Sequence, residues 1–252
     1  MRARLIFAVI VLGVALTSLP AFARIEPLVI DLSESLIAVH PRFAGTKLLL
    51  FGAVDGPGDV VVVLRGPEAA MVMRRKKRVA GIWINSESLV FARVPRFYAV
   101  AATRPLEELA GLSLLEEKHI GIQRVPFRIA SKEGPSPAEE FRAALVSEAE
   151  ASHLYVSETA RVEFLAERLF RAEFVLPAEI PTGQYTAQAY LLRDGRLVAS
   201  RSKSLEVKQI GFGAGLSRFA HDFPAFYGLL AIALALMAGW LGSVFFRKRA
   251  LR

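Results

Sequence analysis

Residues 225–246 read AFYGLLAIALALMAGWLGSVFF, without one charged side chain, and Arg247, Lys248 and Arg249 follow at once. A helix of that length is about 33 Å long, enough to cross the roughly 30 Å hydrocarbon layer of a bilayer. No other stretch constrains the chain so tightly, because whatever precedes it must fold on one side of a membrane or be a second membrane signal. The three cations predict a cytoplasmic C-terminal end. Phe219, Phe223, Phe226 and Tyr227 gather at the opposite end, as interfacial aromatics do. Within the span, Ala235, Ala238, Gly239 and Gly242 fall on one helix face, and small residues let a second helix approach closely.

The first residues carry another membrane signal. Arg2 and Arg4 precede an apolar run from Leu5 to Leu16, and Pro20 precedes the small-x-small triplet Ala21, Phe22, Ala23. This is the pattern of a secretory signal peptide over residues 1–23, cut after Ala23, with an uncleaved anchor as the alternative. Residues 24–224 are then expected outside the cytoplasm, in a protein that crosses the membrane once.

The charge balance fits this topology better than a nucleic-acid surface. The chain has 32 basic and 24 acidic residues and a net charge of +8. Six of the basic residues lie outside residues 24–224 and none of the acidic ones does, so the region between the membrane signals is nearly neutral. No nucleic-acid partner is expected. The absence of cysteine removes disulfides, thiolate metal sites and cysteine nucleophiles.

Residues 24–103 alternate short β-branched runs with turn residues. Runs at 28–32, 47–54, 60–64, 79–84, 89–94 and 97–102 are separated by Gly, Pro, Asp and Asn, which predicts an antiparallel β-sandwich. The four consecutive valines from Val60 suit a strand covered on both faces. Arg74, Arg75, Lys76, Lys77 and Arg78 interrupt this region. They are either a site for an anion, an acidic partner or lipid head groups, or a solvated hairpin end. Alternation sets Trp83 on the face opposite Ile82 and Ile84 and predicts a core or inter-domain tryptophan, with a ligand platform as the alternative.

Residues 104–155 change to helical character and are net acidic. Short helical turns are expected at 105–109 and 114–118. Ser136, Pro137 and Glu139 form a capping box opening a helix to about Ser152, with Phe141, Leu145 and Ala149 as its apolar stripe. Residues 156–210 return to strands. Phe170, Ala172, Phe174 and Leu176 share one face, as do Tyr185, Ala187, Ala189 and Leu191, and Asp194-Gly195 is a hairpin turn. Gly183 before Tyr185, then a long strand and a hairpin, resembles the tyrosine corner of immunoglobulin-like sandwiches, with Ala187 where antibody domains carry cysteine. The fold expected is therefore mainly β. It is an immunoglobulin-like sandwich in one or two units with a helical insertion, a linker at 211–224, a membrane helix at 225–246 and a tail at 247–252.

No chemical motif stands out. His40, His119, His153 and His221 have no local metal-pair spacing. Met71 and Met73 share a strand face and with His40 would suit Cu(I), but methionine is a common core filler, and no cofactor or metal is assigned. Ser200 and Lys203 have the S-x-x-K spacing without its partner motifs. Gly211, Gly213 and Gly215 read as linker rather than phosphate loop. The paired glutamates 107/108 and 116/117 sit on solvated turns. No catalytic residue is assigned.

The runs VVVVLRGP at 60–67, RRKKRVAGIWIN at 74–85, VPRFYAV at 94–100, LPAEIPTGQYTAQAYLLRDG at 176–195 and FYGLLAIALALMAGW at 226–240 go further. With the leader, they resemble the family of predicted alphaproteobacterial transmembrane proteins of about this length. Genes of that family tend to lie near those of sulfite-exporter-type permeases, which implies an accessory role and transfers no catalytic residue. The expected function is thus an anchored, non-catalytic interaction or accessory protein. Its partner would be a membrane or envelope protein such as an inner-membrane transporter. The alternative is a solute- or metal-binding module feeding a permease, with a pocket between two β parts lined by Trp83 or residues 74–78.

Overall fold

The computed structural model describes residues 26–79, 81–130, 138–210 and 220–247. The expected leader at 1–23, the expected capping residues Ser136 and Pro137, and Gly211 to Gly215 of the expected linker lie outside those residues. The chain is mainly β. Its strands are β1 (Leu28–Leu32), β2 (Leu36–Val39), β3 (Thr46–Val54), β4 (Asp59–Arg65), β5 (Glu68–Val79), β6 (Ile82–Pro95), β7 (Tyr98–Ala102), β8 (Ala160–Phe164), β9 (Leu169–Leu176), β10 (Gly183–Arg193) and β11 (Arg196–Gln209). Helices α1 (Leu106–Leu109), α2 (Leu112–Glu117) and α3 (Ala138–Ala151) lie between β7 and β8, and α4 (Pro224–Arg247) follows β11.

Nine strands form one curled sheet in the order β1-β3-β9-β8-β7-β4-β10-β11-β2. Strands from either side of the helical segment alternate in it, so residues 28–102 and 160–209 share a single core. Most pairs are antiparallel, as expected, but β7–β8 and β2–β11 are parallel. The curl brings β1 back beside β11, where Arg201–Glu26 (2.9 Å) and Lys203–Asp31 (3.2 Å) join them. These pairs are exposed and contribute little to stability.

Period-two alternation fills the inside of the curl. Leu48 and Leu50 of β3, Phe170, Ala172, Phe174 and Leu176 of β9, and Tyr185, Ala187, Ala189 and Leu191 of β10 are all buried there. The valine run is covered on both faces, as its composition predicts. Val60 and Val62 point into the curl, while Val61 and Val63 join Tyr98, Val100 and Tyr190 beneath Leu106, Leu109, Leu115 and Val146 of the helical segment. Hydroxyl groups pin that segment to the sheet. Tyr98 Oη donates to the His119 carbonyl (2.9 Å) and accepts from the Gly121 N–H (2.9 Å), and Tyr155 Oη donates to the Pro95 carbonyl (2.7 Å).

The tyrosine corner forms: Tyr185 Oη donates to the Pro181 carbonyl four residues upstream at 2.7 Å. The Asp194-Gly195 turn forms too, with φ of 52° and 71°. This double left-handed conformation belongs to a type I′ turn, and glycine adopts it without a Cβ penalty.

Strands β5 and β6 stand apart as a two-stranded antiparallel hairpin. The sequence placed one strand across residues 79–84. In the structure this is where the chain reverses, between Val79 and Ile82, with Gly81 at φ 84°. The base of the hairpin is covered by α3: Leu89, Phe91 and Val94 bury against Phe141 and Leu145, with Met71 and Met73 packed alongside. An isolated hairpin is marginal in water, so this contact is what holds it.

Candidate interaction surfaces

The hairpin changes character along its length. Beyond Met73 and Leu89 the hairpin leaves the buried cluster on α3, and every residue from Ile82 to Ser88 is exposed. Paired positions toward the turn are Arg74/Ser88, Arg75/Glu87, Lys76/Asn85, Lys77/Ile84, Arg78/Trp83 and Val79/Ile82, with a bulge at Ser86. Residues paired across an antiparallel ladder share a face. Val79, Ile82, Ile84 and Lys77 are therefore on one side of the tip, and Trp83, Arg78, Lys76 and Arg74 on the other.

The five cations are not equivalent. Arg75 is engaged: it pairs with Glu140 of α3 and, at 3.4 Å, with Glu87, and its guanidinium lies 5.3 Å from the Phe141 ring centre. Arg78 Nε donates to the Gly81 carbonyl (3.3 Å), holding the turn. Arg74, Lys76, Lys77 and Arg78 form no ion pair with an acidic side chain among the described residues. Trp83 is 65% exposed, against the expectation of a core tryptophan. The reason is positional: alternation marks its face correctly, but the strand carrying it runs beyond the buried cluster on α3, and Trp83 joins no buried cluster among the described residues. Residues 74–78 and Trp83 are thus brought together, on the hairpin surface rather than around a cavity. The space between the β segments, where a pocket was expected, is the filled core.

A second surface was missed by sequence reasoning. Beside β1 and β11 lies an open cleft of about 630 Å³, lined by Val29, Phe51, Leu165, Leu169, Arg201 and Lys203 among others. The first four are 51, 44, 60 and 53% exposed. A signal was present: Phe51 alternates out of register with the buried Leu48 and Leu50, and Leu169 shares the charged face of β9 with Arg171 and Glu173. Beside this cleft, the Leu32 N–H and then the Lys203 ammonium hold the Asp31 carboxyl below its ordinary range.

The remaining candidates resolve into structural roles. Met71 and Met73 fill space against α3, and the His40 ring packs edge-on against Phe43 and accepts from the Arg42 N–H (3.2 Å). Ser200 lies on β11, and Lys203 is taken up by Asp31. Glu107, Glu108, Glu116 and Glu117 are exposed. Asp59 is held low mainly by the Arg104 guanidinium, with Thr103 also donating to it (2.9 Å). Burial pushes the Tyr98 hydroxyl up to about 12 and raises those of Tyr155 and Tyr185 as well.

Among the described residues one helix is long and apolar enough to cross a membrane, over Pro224–Leu241 within α4. Ala235, Ala238 and Gly239 fall within that stretch and Gly242 one turn beyond Ala238, while Phe226 and Tyr227 mark its first turn.

Comparison with known proteins adds a family. No curated protein matches the chain. A solved structure titled "Structural basis of T cell specificity and activation by the bacterial superantigen toxic shock syndrome toxin-1" is similar at 7% identity and a TM-score of 0.25, covering 73% of this chain and 99% of that one. The family model described as "Putative transmembrane protein (Alph_Pro_TM)" matches residues 27–248, from β1 through α4, and the chain belongs to that family.

Proposed function

We propose that this membrane protein is a single-pass, non-catalytic interaction or accessory protein of the bacterial inner membrane. Its leader is removed, its β body lies in the periplasm, and its C-terminal cations remain in the cytoplasm. Its partner is a membrane or envelope protein, with an inner-membrane transporter as the first candidate. The observation that carries this reading is the cleft beside β1. Val29, Phe51, Leu165 and Leu169 form an exposed apolar centre, and the Glu26–Arg201 and Asp31–Lys203 pairs form a polar rim. An apolar centre inside a polar rim is the anatomy of a protein interface, and contiguous exposed apolar surface marks such sites. The small-residue face of α4, Ala235, Ala238, Gly239 and Gly242, supplies a matching contact within the bilayer.

The test is a photo-crosslinking side chain at position 51 or 169, activated in native membranes. A specific adduct with one membrane or envelope protein, lost in an Ala235→Leu/Gly239→Leu variant or in a charge reversal at Arg201, is the expected result. Recovery of the monomer alone counts against the proposal. The second reading, a solute-binding module feeding a permease, draws on the same cleft, because about 630 Å³ is within the range of small-molecule sites. It predicts ligand-dependent protection of position 51 from the crosslinker by periplasmic solutes.

A further inference from the structure

We infer that the tip of the β5–β6 hairpin is a membrane-binding element, which enters the head-group region of an anionic phospholipid bilayer, the same bilayer that α4 crosses. The inference rests on the membrane helix and the hairpin alone and not on any protein partner.

The order of residues along the hairpin matches the order of layers in a bilayer surface. Counting paired positions from the turn, apolar side chains occupy the first three: Val79 and Ile82, then Trp83, then Ile84. At about 3.4 Å per position they cover roughly 10 Å. That is the depth, about 5–10 Å, to which an interfacial element buries its apolar part. Basic side chains start at the second position and continue to the sixth, from Arg78 back to Arg74. Their long stems place cationic ends among phosphates while the apolar tip sits deeper. No acidic residue occurs from 74 to 86, and the first one behind the tip, Glu87, is paired with Arg75.

The shape of the tip favours lipid over a protein surface. Apolar groups stand on both faces, Val79, Ile82 and Ile84 on one and Trp83 on the other, and so do the cations. A flat protein partner covers one face of a hairpin and leaves the other wet. A bilayer surrounds the tip on all sides. Exposures of 47, 68, 65 and 46% for Val79, Ile82, Trp83 and Ile84 leave all four available at once. Tryptophan is also the side chain best suited to the boundary, with an apolar ring and one N–H donor. Finally, a chain fixed to the membrane by α4 holds the hairpin at high effective concentration beside the lipid, so weak contacts suffice.

The experiment uses the full chain carrying Trp240→Phe, which leaves Trp83 as the sole tryptophan. It is reconstituted into phosphatidylcholine vesicles or vesicles of phosphatidylcholine and phosphatidylglycerol in equal parts, each with lipids brominated near the head group. Trp83 emission is expected to shift to shorter wavelength and to be quenched in the anionic vesicles, less so in phosphatidylcholine, and to recover as salt rises. Each cation near an anionic surface is worth about fivefold, so Lys76→Gln/Lys77→Gln is expected to lower the docked-to-undocked ratio roughly 25-fold. Among the described residues those two exposed lysines form no side-chain hydrogen bond or ion pair, so the variant keeps its fold, which thermal unfolding verifies. Unquenched, water-like emission in both vesicle types overturns the inference. Unquenched emission in vesicles combined with a blue shift in native membranes overturns it in favour of a protein on the tip.

Discussion

Replacing Tyr98 by phenylalanine isolates the contact that clamps the helical segment to the sheet. The ring is fully buried and stays, while the hydroxyl and its two hydrogen bonds go. The consequences for the two partners differ. The His119 carbonyl keeps a donor, because Arg65 Nη2 also reaches it (3.3 Å). The buried Gly121 N–H keeps none that the described residues supply. One orphaned buried donor costs about 1–3 kcal/mol, and the lost bond adds about 1 kcal/mol. A loss of roughly 2–4 kcal/mol in a body of this size lowers Tm by about 4–16 °C. Thermal unfolding of the detergent-solubilised chain, followed by near-ultraviolet dichroism so that the helical backbone signal of α4 does not dominate, measures it. Alkaline pH gives an independent arm. The folded-state pKa, about 12, lies above the unfolded value of about 10. The folded state therefore binds the proton longer, so Tyr98's stabilisation is complete below pH 10 and falls between 10 and 12. The slope is at most about 1.4 kcal/mol per pH unit. The phenylalanine variant should lose Tyr98's share of that slope and keep the shares of Tyr155 and Tyr185, whose hydroxyls are raised as well. A variant that melts within a degree of the parent and keeps the parent's full alkaline slope refutes the clamp.

Three further outcomes follow from the packing. Gly52→Ala places a Cβ 2.4 Å from the Val29 carbonyl oxygen and 2.6 Å from the Phe170 ring, and backbone cannot yield as a side chain can. Overpacking costs about 1–3 kcal/mol or more, read as a lower denaturant midpoint. Asp59→Asn removes a carboxylate whose pKa is depressed, chiefly by Arg104. The parent gains stability from it above the usual carboxylate range and loses that gain as pH falls through the lowered pKa. The asparagine variant should be less stable at neutral pH with a flatter acid limb in unfolding between pH 2 and about 5. Ile82→Ser, at a tip outside every buried cluster of the described residues, should change unfolding free energy by less than about 0.5 kcal/mol while abolishing Trp83 quenching in anionic vesicles.

What was legible in the sequence was local. Alternation identified the inward faces of β9 and β10, the valine run announced a doubly covered strand, and Asp194-Gly195 and Tyr185 announced a turn and a corner, all within a few residues of their causes. What was hidden depended on distant segments. That β3 pairs with β9 and β4 with β10, closing one sheet from both sides of the helices, has no short-range signature. The same is true of the cleft, since Phe51 on an outward face becomes a surface feature only once Val29 and Leu169 lie beside it. Trp83 was misread for a related reason. Its aromatic, β-branched surroundings read as core, and only the three-dimensional path of the hairpin takes them away from any core.

That path also explains why residues 68–95 hold two opposite compositions in one element. A hairpin this long needs support, and its base obtains it by burying Leu89, Phe91 and Val94 on the apolar stripe of α3. Arg75 ends the supported part, reaching back to Glu140 and Phe141. Past this point the strands join no buried cluster among the described residues, and stability alone would favour polar side chains there. Instead Val79, Ile82, Trp83 and Ile84 remain about half exposed or more, leaving roughly 3–6 kcal/mol of apolar burial unrealised. Val72, earlier on the same hairpin, is 52% exposed as well, but the tip gathers four such groups around one turn. Among the described residues nothing supplies the burial that the tip lacks, and a membrane tethered to the same chain through α4 can.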